Sequence, residues 1–394
     1  MSAVTGFRGR IGPKLTGLVA SLAVAWVMCG CVWWSELWDG WPKRYRNTGD
    51  EVPNAACQAV DGGILMAGTS SHGTRYDLYY LKTDPDGNMV WTRTWQAPGD
   101  TVCYGRGIVA VPDGGFLLAG ETCIVDTIID GAVLLVRCGP DGEPLWSKQY
   151  WPAHRNFVNA LASADDGGFL VAGTAVASDS HPQSAFAIRT DSTGNVTWTR
   201  LWSGITGTEG IATCPDGSSA IVGYGAGRVV VMKVSPAGES LAARQFGEDP
   251  APWGAHAIAS TSDGGFVVAG SVGDTDDRGS NAYVLRLDSN LDSLWARSYS
   301  MNRDDAAWAV RETPNGGLVL AGWTGHVDMD GGDKMELYVV SAEADGRLRW
   351  QRSFGGPAGA FGSSLIVTDD GFAIAVGHIS DADGTDFYAV KVKL

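Results

Sequence analysis

Two short acidic stretches carry residue types that suit a hard cation. Asp328-Met-Asp330-Gly-Gly-Asp333 and Asp381-Ala-Asp383-Gly-Thr-Asp386 set carboxylates at alternate positions around a glycine. Ca²⁺ takes six to eight oxygens, and a tight acidic loop lets a short segment supply several of them. Neither stretch continues to the bidentate Glu of a full calcium loop, and Asp/Gly runs are also ordinary solvated turns. Calcium is therefore a candidate cofactor, with plain turn chemistry as the alternative. Asp274, Asp276 and Asp277 make a looser third cluster.

Aromatic side chains gather ahead of a recurring turn: Tyr104, Phe157, Trp253, Trp308 and Phe361. On a shared rim they would stack on a sugar or a peptide; in a core they would simply pack. The six histidines are scattered, with no HExxH. There is also no nucleophile elbow, phosphate loop or dinucleotide fingerprint. No catalytic residue is assigned, and the reading leans away from an enzyme; His256, His326 and His378 would be the first to test. Cys103 and Cys123 stand ten residues either side of Asp113 and are expected to face each other as a disulfide across a hairpin. Cys57, Cys138 and Cys214 have no evident partner and no metal-site spacing.

The elements that must position these groups are strands. Trp41-x-Lys43-x-Tyr45 returns as Trp91/Arg93/Trp95, Trp146/Lys148/Tyr150, Trp198/Arg200/Trp202, Ala242/Arg244/Phe246, Trp295/Arg297/Tyr299 and Trp350/Arg352/Phe354. Residues at i, i+2 and i+4 share one strand face. Each cation then covers ring surface with its stem, which is a packing device repeated by symmetry rather than a site. A second marker is a Gly at 68, 120, 173, 223, 270, 322 and 377, each preceded seven residues earlier by Asp or Asn and then Gly. Asp-Gly between apolar runs is a hairpin signal through the primed turns. The period of about 50 residues, with four short strands in each, points to propeller blades. The expected fold is an all-β, seven-bladed β-propeller over residues 41–394. The last blade lacks its fourth strand; Trp41–Tyr45 supplies it and closes the ring.

Residues 1–31 read as a lipoprotein-type signal segment. Arg8, Arg10 and Lys14 precede an apolar run, Leu15–Val27, too short for a membrane span. Met28-Cys29-Gly30-Cys31 resembles a bacterial lipobox, which implies acylation of Cys31; ordinary cleavage with free secretion, or an uncleaved anchor, are the alternatives. Residues 32–40 then form a short tether containing Trp33, Trp34 and Trp38, and Trp favours the membrane interface. Val32 after the Cys implies outer-membrane sorting by the same resemblance. Residues 1–30 hold three cations and no acid, so the remainder carries about −18 against −15 for the whole chain. That charge excludes nucleic acid as a partner.

Runs such as Asp263-Gly-Gly-Phe-Val-Val-Ala-Gly270 and Asp191-Ser-Thr-Gly194-Asn-Val-Thr-Trp198 resemble the repeats of bacterial exported β-propellers, distantly akin to PQQ-type propellers. The resemblance implies an envelope-anchored, monomeric module that binds a protein partner on its acidic outward face. The alternative is an extracytoplasmic enzyme or binding protein acting on glycans, or a quinone-dependent oxidoreductase. The Asp-to-Trp spacing is a residue shorter than in PQQ repeats, and seven blades stand where quinone enzymes have eight.

Overall fold

The computed structural model describes residues 40–97, 101–124, 131–177, 183–247, 253–273, 279–327, 333–356 and 358–394. Its 28 strands form seven four-stranded antiparallel blades around an axis, spanning 50–95, 101–150, 155–202, 207–246, 253–299, 304–354, and 360–393 with 43–45. Strands are lettered A to D outward from the axis. A parallel bridge, Ser280 to Asp304, joins the start of strand C in blade five to the start of strand A in blade six. The closing strand Lys43–Tyr45 pairs with Gly384–Lys393, as expected. No helix of the described residues is long and apolar enough to cross a membrane.

Strand character follows position. Strands B and C are covered on both faces, so they read as continuous apolar runs; Ala132–Cys138 is buried at every residue. Strand D is an outer edge and alternates. The core is accordingly divided into apolar seams, one between each pair of adjacent blades. The seam between blades seven and one contains Trp41, Tyr45, Tyr79 and Phe387, so the ring is shut there as it is elsewhere.

The Trp-x-cation-x-aromatic pattern is a clasp between blades. Each cation lies over its own Trp, from 4.9 Å for Arg352 on Trp350 to 6.0 Å for Lys43 on Trp41. The Trp in turn covers a left-handed glycine in the C–D turn of the next blade: Trp41 on Gly87, Trp91 on Gly142, Trp146 on Gly194, Trp198 on Gly238 and Trp295 on Gly346. The hydroxyls of Tyr45, Tyr150 and Tyr299 donate to the carbonyls of Gly87, Gly194 and Gly346 at 2.9, 2.6 and 2.9 Å. Blade four departs in a complementary way. Ala242 stands in the Trp place, and the turn it faces holds Leu291 at φ 66° instead of glycine. Leu291 is fully buried against Ala242, filling the volume that the indole occupies elsewhere.

Two expectations are corrected. The Asp-Gly turns are not primed: only the glycines (Gly62, Gly114, Gly264 and their counterparts) have positive φ. Gly62 N donates to Ala59 O and Ala59 N to Gly63 O, which is a type I turn followed by a left-handed glycine bulge. Cys103 and Cys123 do not face each other. One extra residue at Arg106 shifts the register, so Cys103 opposes Thr122 and Cys123 opposes Val102. The two side chains leave on opposite faces, and both thiols are free. Burial pushes the Cys103 thiol up to about 12, far from the reactive thiolate range.

Candidate functional site: a ring of bulges around the central cavity

Every A strand carries one bulge, and always at the same place. The register breaks at Asn54, Arg106, Asn159, Glu209, His256, Trp308 and Ser363. Each stands seven residues before the Asp or Asn of its turn. A bulge turns an extra side chain out of the ladder, and all seven residues line a cavity of about 530 Å³ on the axis. The repeat glycine seven residues after the turn Asp explains the geometry. At Gly68, Gly120, Gly173, Gly223, Gly270, Gly322 and Gly377 a Cβ would lie 1.7–2.0 Å from a carbonyl oxygen of the bulged strand. Only glycine lets strand A press in that closely.

The seven bulge residues divide by what they do. Three are clamps. Asn54 donates to Gly105 O at 2.7 Å, Asn159 to Thr208 O at 2.6 Å and Ser363 to Pro53 O at 2.7 Å. In each case the acceptor is the residue just before the next blade's bulge. The other four are different. Arg106 reaches back to the buried carboxylate of Glu121 at 2.7 Å. Glu209 makes no such bond; Tyr224 Oη supplies the clamp in its stead, donating to Ala255 O at 2.7 Å. Burial raises the Glu209 carboxyl to about 7. His256 is lowered to about 4 by burial and is neutral at pH 7. Its ring stacks on Trp308 at 4.2 Å, 2° from parallel. The sequence had marked His256 and Trp308 one at a time and Glu209 not at all; the fixed offset from Asp-Gly was the readable signal for the ring.

The expected aromatic rim proves to be several separate features. Trp308 and Phe361 join a row, His256–Trp308–Phe361–His378, with centroid steps of 4.2, 5.5 and 5.5 Å. Trp323 flanks it 6.3 Å from Phe361. The row crosses blades five to seven at the D–A end of the cavity, and Trp308 is 37% exposed. Phe157 is exposed on blade three, whereas Tyr104 packs against Tyr76 at 5.2 Å and under Arg106. The side chain of Trp253 lies outside the described residues. His326 stands opposite Lys334 across strands B and C, at the B–C end of blade six, and is not among the residues lining the cavity.

The calcium expectation for blade seven is also corrected. Asp381 and Asp386 both form ion pairs with Arg44, and Arg46 reaches Asp381, Asp383 and Asp386 at 3.2, 3.5 and 3.3 Å. Arg44 holds the Asp381 carboxyl down at about 2. These carboxylates serve a latch on the closing strand, and no group of three metal-ligating side chains occurs among the described residues. Asp328, Asp330 and the Asp333 side chain lie outside them, as do Asp274, Asp276, Asp277 and Cys31.

No protein-family model matches the chain, and no curated protein matches it. Solved structures do. U3-55K superposes with a TM-score of 0.59 at 12% identity, over 90% of this chain and 98% of that one. The RRP9 WD40 repeats give 0.58 at 12%, over 90% and 97%. Sqt1 from Chaetomium thermophilum, bound to the N-terminus of the ribosomal protein L10, gives 0.53 at 13%, over 89% and 100%. The fold is a WD40-like β-propeller. At these identities the likeness is one of fold, and function rests on the site.

Proposed function

We propose that this chain is an exported, lipid-anchored binding module that takes a protein partner on its outward face, at the mouth of the central cavity. The observation that carries the reading is the part-exposed row His256–Trp308–Phe361–His378. Aromatics held rigid by stacking offer large contact area at little entropic cost. The Sqt1 propeller, of the same fold, was solved with a ribosomal protein segment bound, which supports the same use here. Acylated Cys31 and the short tether would hold the C–D turns toward the membrane and leave the D–A and B–C loops facing outward. The acidic character of that face would come from the 274–277 and 328–333 stretches, because the blade-seven carboxylates are neutralised by Arg44 and Arg46.

The test is cross-linking in native membranes with tagged wild type and the Trp308→Ala/Phe361→Ala double variant. Wild type should capture one envelope protein reproducibly, and the variant should lose it at least about tenfold, the effect of a hot-spot pair. Unchanged capture by a variant of native melting temperature would overturn the reading. The same row could seat a sugar ring; retention on a glycan array with no captured protein would move the assignment there.

A further inference from the structure

We infer that the central cavity binds a cationic group, an ammonium or guanidinium, with Glu209 as its counter-ion and the stacked His256–Trp308 pair as its wall. This goes beyond the outward-face reading and stands without it.

The argument begins with a missing duty. At the sister positions Asn54, Asn159 and Ser363 the bulge residue donates across the blade boundary. Glu209 does not, and that bond is made by Tyr224 instead. Glu209 is thereby left lining the cavity with no hydrogen-bond or ion-pair partner among the described residues. Charge on a half-buried carboxyl with no partner is costly, and a cation seated beside it removes that cost.

The cations nearby do not do so. Arg106 lines the same cavity but is held by Glu121 at 2.7 Å. Arg311 lines it as well, but three residues beyond Trp308 toward the A–B turns, roughly 10 Å along the strand. It donates to its neighbour's carbonyl, Val310 O, at 2.8 Å. Neither the Tyr224 phenol nor the His256 ring adds charge here: Tyr224 keeps its proton, since burial raises its pKa, and His256, on the same cavity, is neutral at pH 7. The next two blades present the His256 and Trp308 rings, stacked 4.2 Å from each other, on the same cavity, and an indole attracts a cation that approaches it. The volume of about 530 Å³ is ample for a group the size of a lysine or arginine side chain.

The experiment is calorimetric titration of the purified full-length chain at pH 8 with benzamidine, and with benzamide as the neutral isostere. Wild type should prefer benzamidine by about tenfold or more, as for one desolvated charge pair. Glu209→Gln should bring the two within about twofold, and Trp308→Leu should weaken benzamidine while keeping its preference. Equal binding of the two probes by wild type, no saturable binding of either, or a preference that survives Glu209→Gln would each overturn the assignment. Should Glu209→Gln fail to fold, carboxyl NMR of the wild type decides. Benzamidine must lower the titration midpoint of Glu209, and an unmoved midpoint overturns the proposal.

Discussion

Glu209 links structure to pH at the residue scale. Its carboxyl is raised to about 7, against about 4.3 in an unfolded chain. The folded protein therefore holds a proton that the unfolded chain has released. Stability from this group is full below about pH 4.3 and is lost as pH rises through about 7. His256, lowered to about 4, acts in the opposite sense and removes stability as pH falls from about 6.5 toward 4. Melting curves of wild type and Glu209→Gln should thus diverge upward in pH. The variant gains about 2 °C relative to wild type between pH 5 and 8, and a constant offset would argue against the raised carboxyl. The repeat glycines are a second residue-scale case. Gly270→Ala would set a Cβ 1.7 Å from Gly254 O and should cost about 3 kcal/mol in urea unfolding, the upper range for overpacking. Gly204, with nothing within 4 Å of its would-be Cβ, should accept Ala with little change.

Elements show where the repeat bends its own rule. Blade four lacks the Trp of its clasp, and the facing turn answers with Leu291 at φ 66°. Ala242→Trp alone should clash with buried Leu291 and lower stability by about 2 kcal/mol. Leu291→Gly alone should open a cavity of similar cost. The double variant restores the pairing used by the other clasps, and should recover at least half the summed loss in a double-mutant cycle. Simple additivity would mean that the two positions are independent. The A–B turns carry another repeated pair, such as Arg137–Asp113 and Arg286–Asp263 at 2.5 and 2.6 Å. With the Asp side chains more than half exposed, such pairs are worth at most about 1 kcal/mol each. The apolar seams, not these pairs, hold the blades together.

At the scale of the whole molecule the outcome turns on closure. The seam of blades seven and one buries Trp41 and Tyr45, and the Arg44/Arg46 latch ties the closing strand to the rest of blade seven. A chain beginning at residue 50 leaves strand C of the last blade as an open edge, which favours aggregation. It should melt at least about 10 °C lower than one beginning at residue 32, or aggregate. Equal melting temperatures would refute closure by this strand. The five described thiols are free and mostly buried, so peptide mapping without reduction should find no linked 103–123 pair.

Much of the frame was legible because it is periodic. The i, i+2, i+4 aromatic pattern and the Asp-Gly-to-Gly offset report alternation and turns, which are local properties of the chain; they determined the all-β class, the number of blades and the borrowed closing strand. What they could not carry was anything set by one residue of register. A single bulged residue in each A strand moved Cys103 away from Cys123, since a slip of one exchanges the two faces of a strand. The same bulge turned seven side chains of six types to the axis. Partnership between distant residues was likewise invisible: Arg44 and Asp381 are 337 positions apart, and only ring closure brings them together to claim carboxylates that, read alone, suited calcium. Sequence spacing determined the scaffold because blades repeat; the tertiary structure decided the site because the site is where the repeats differ and converge.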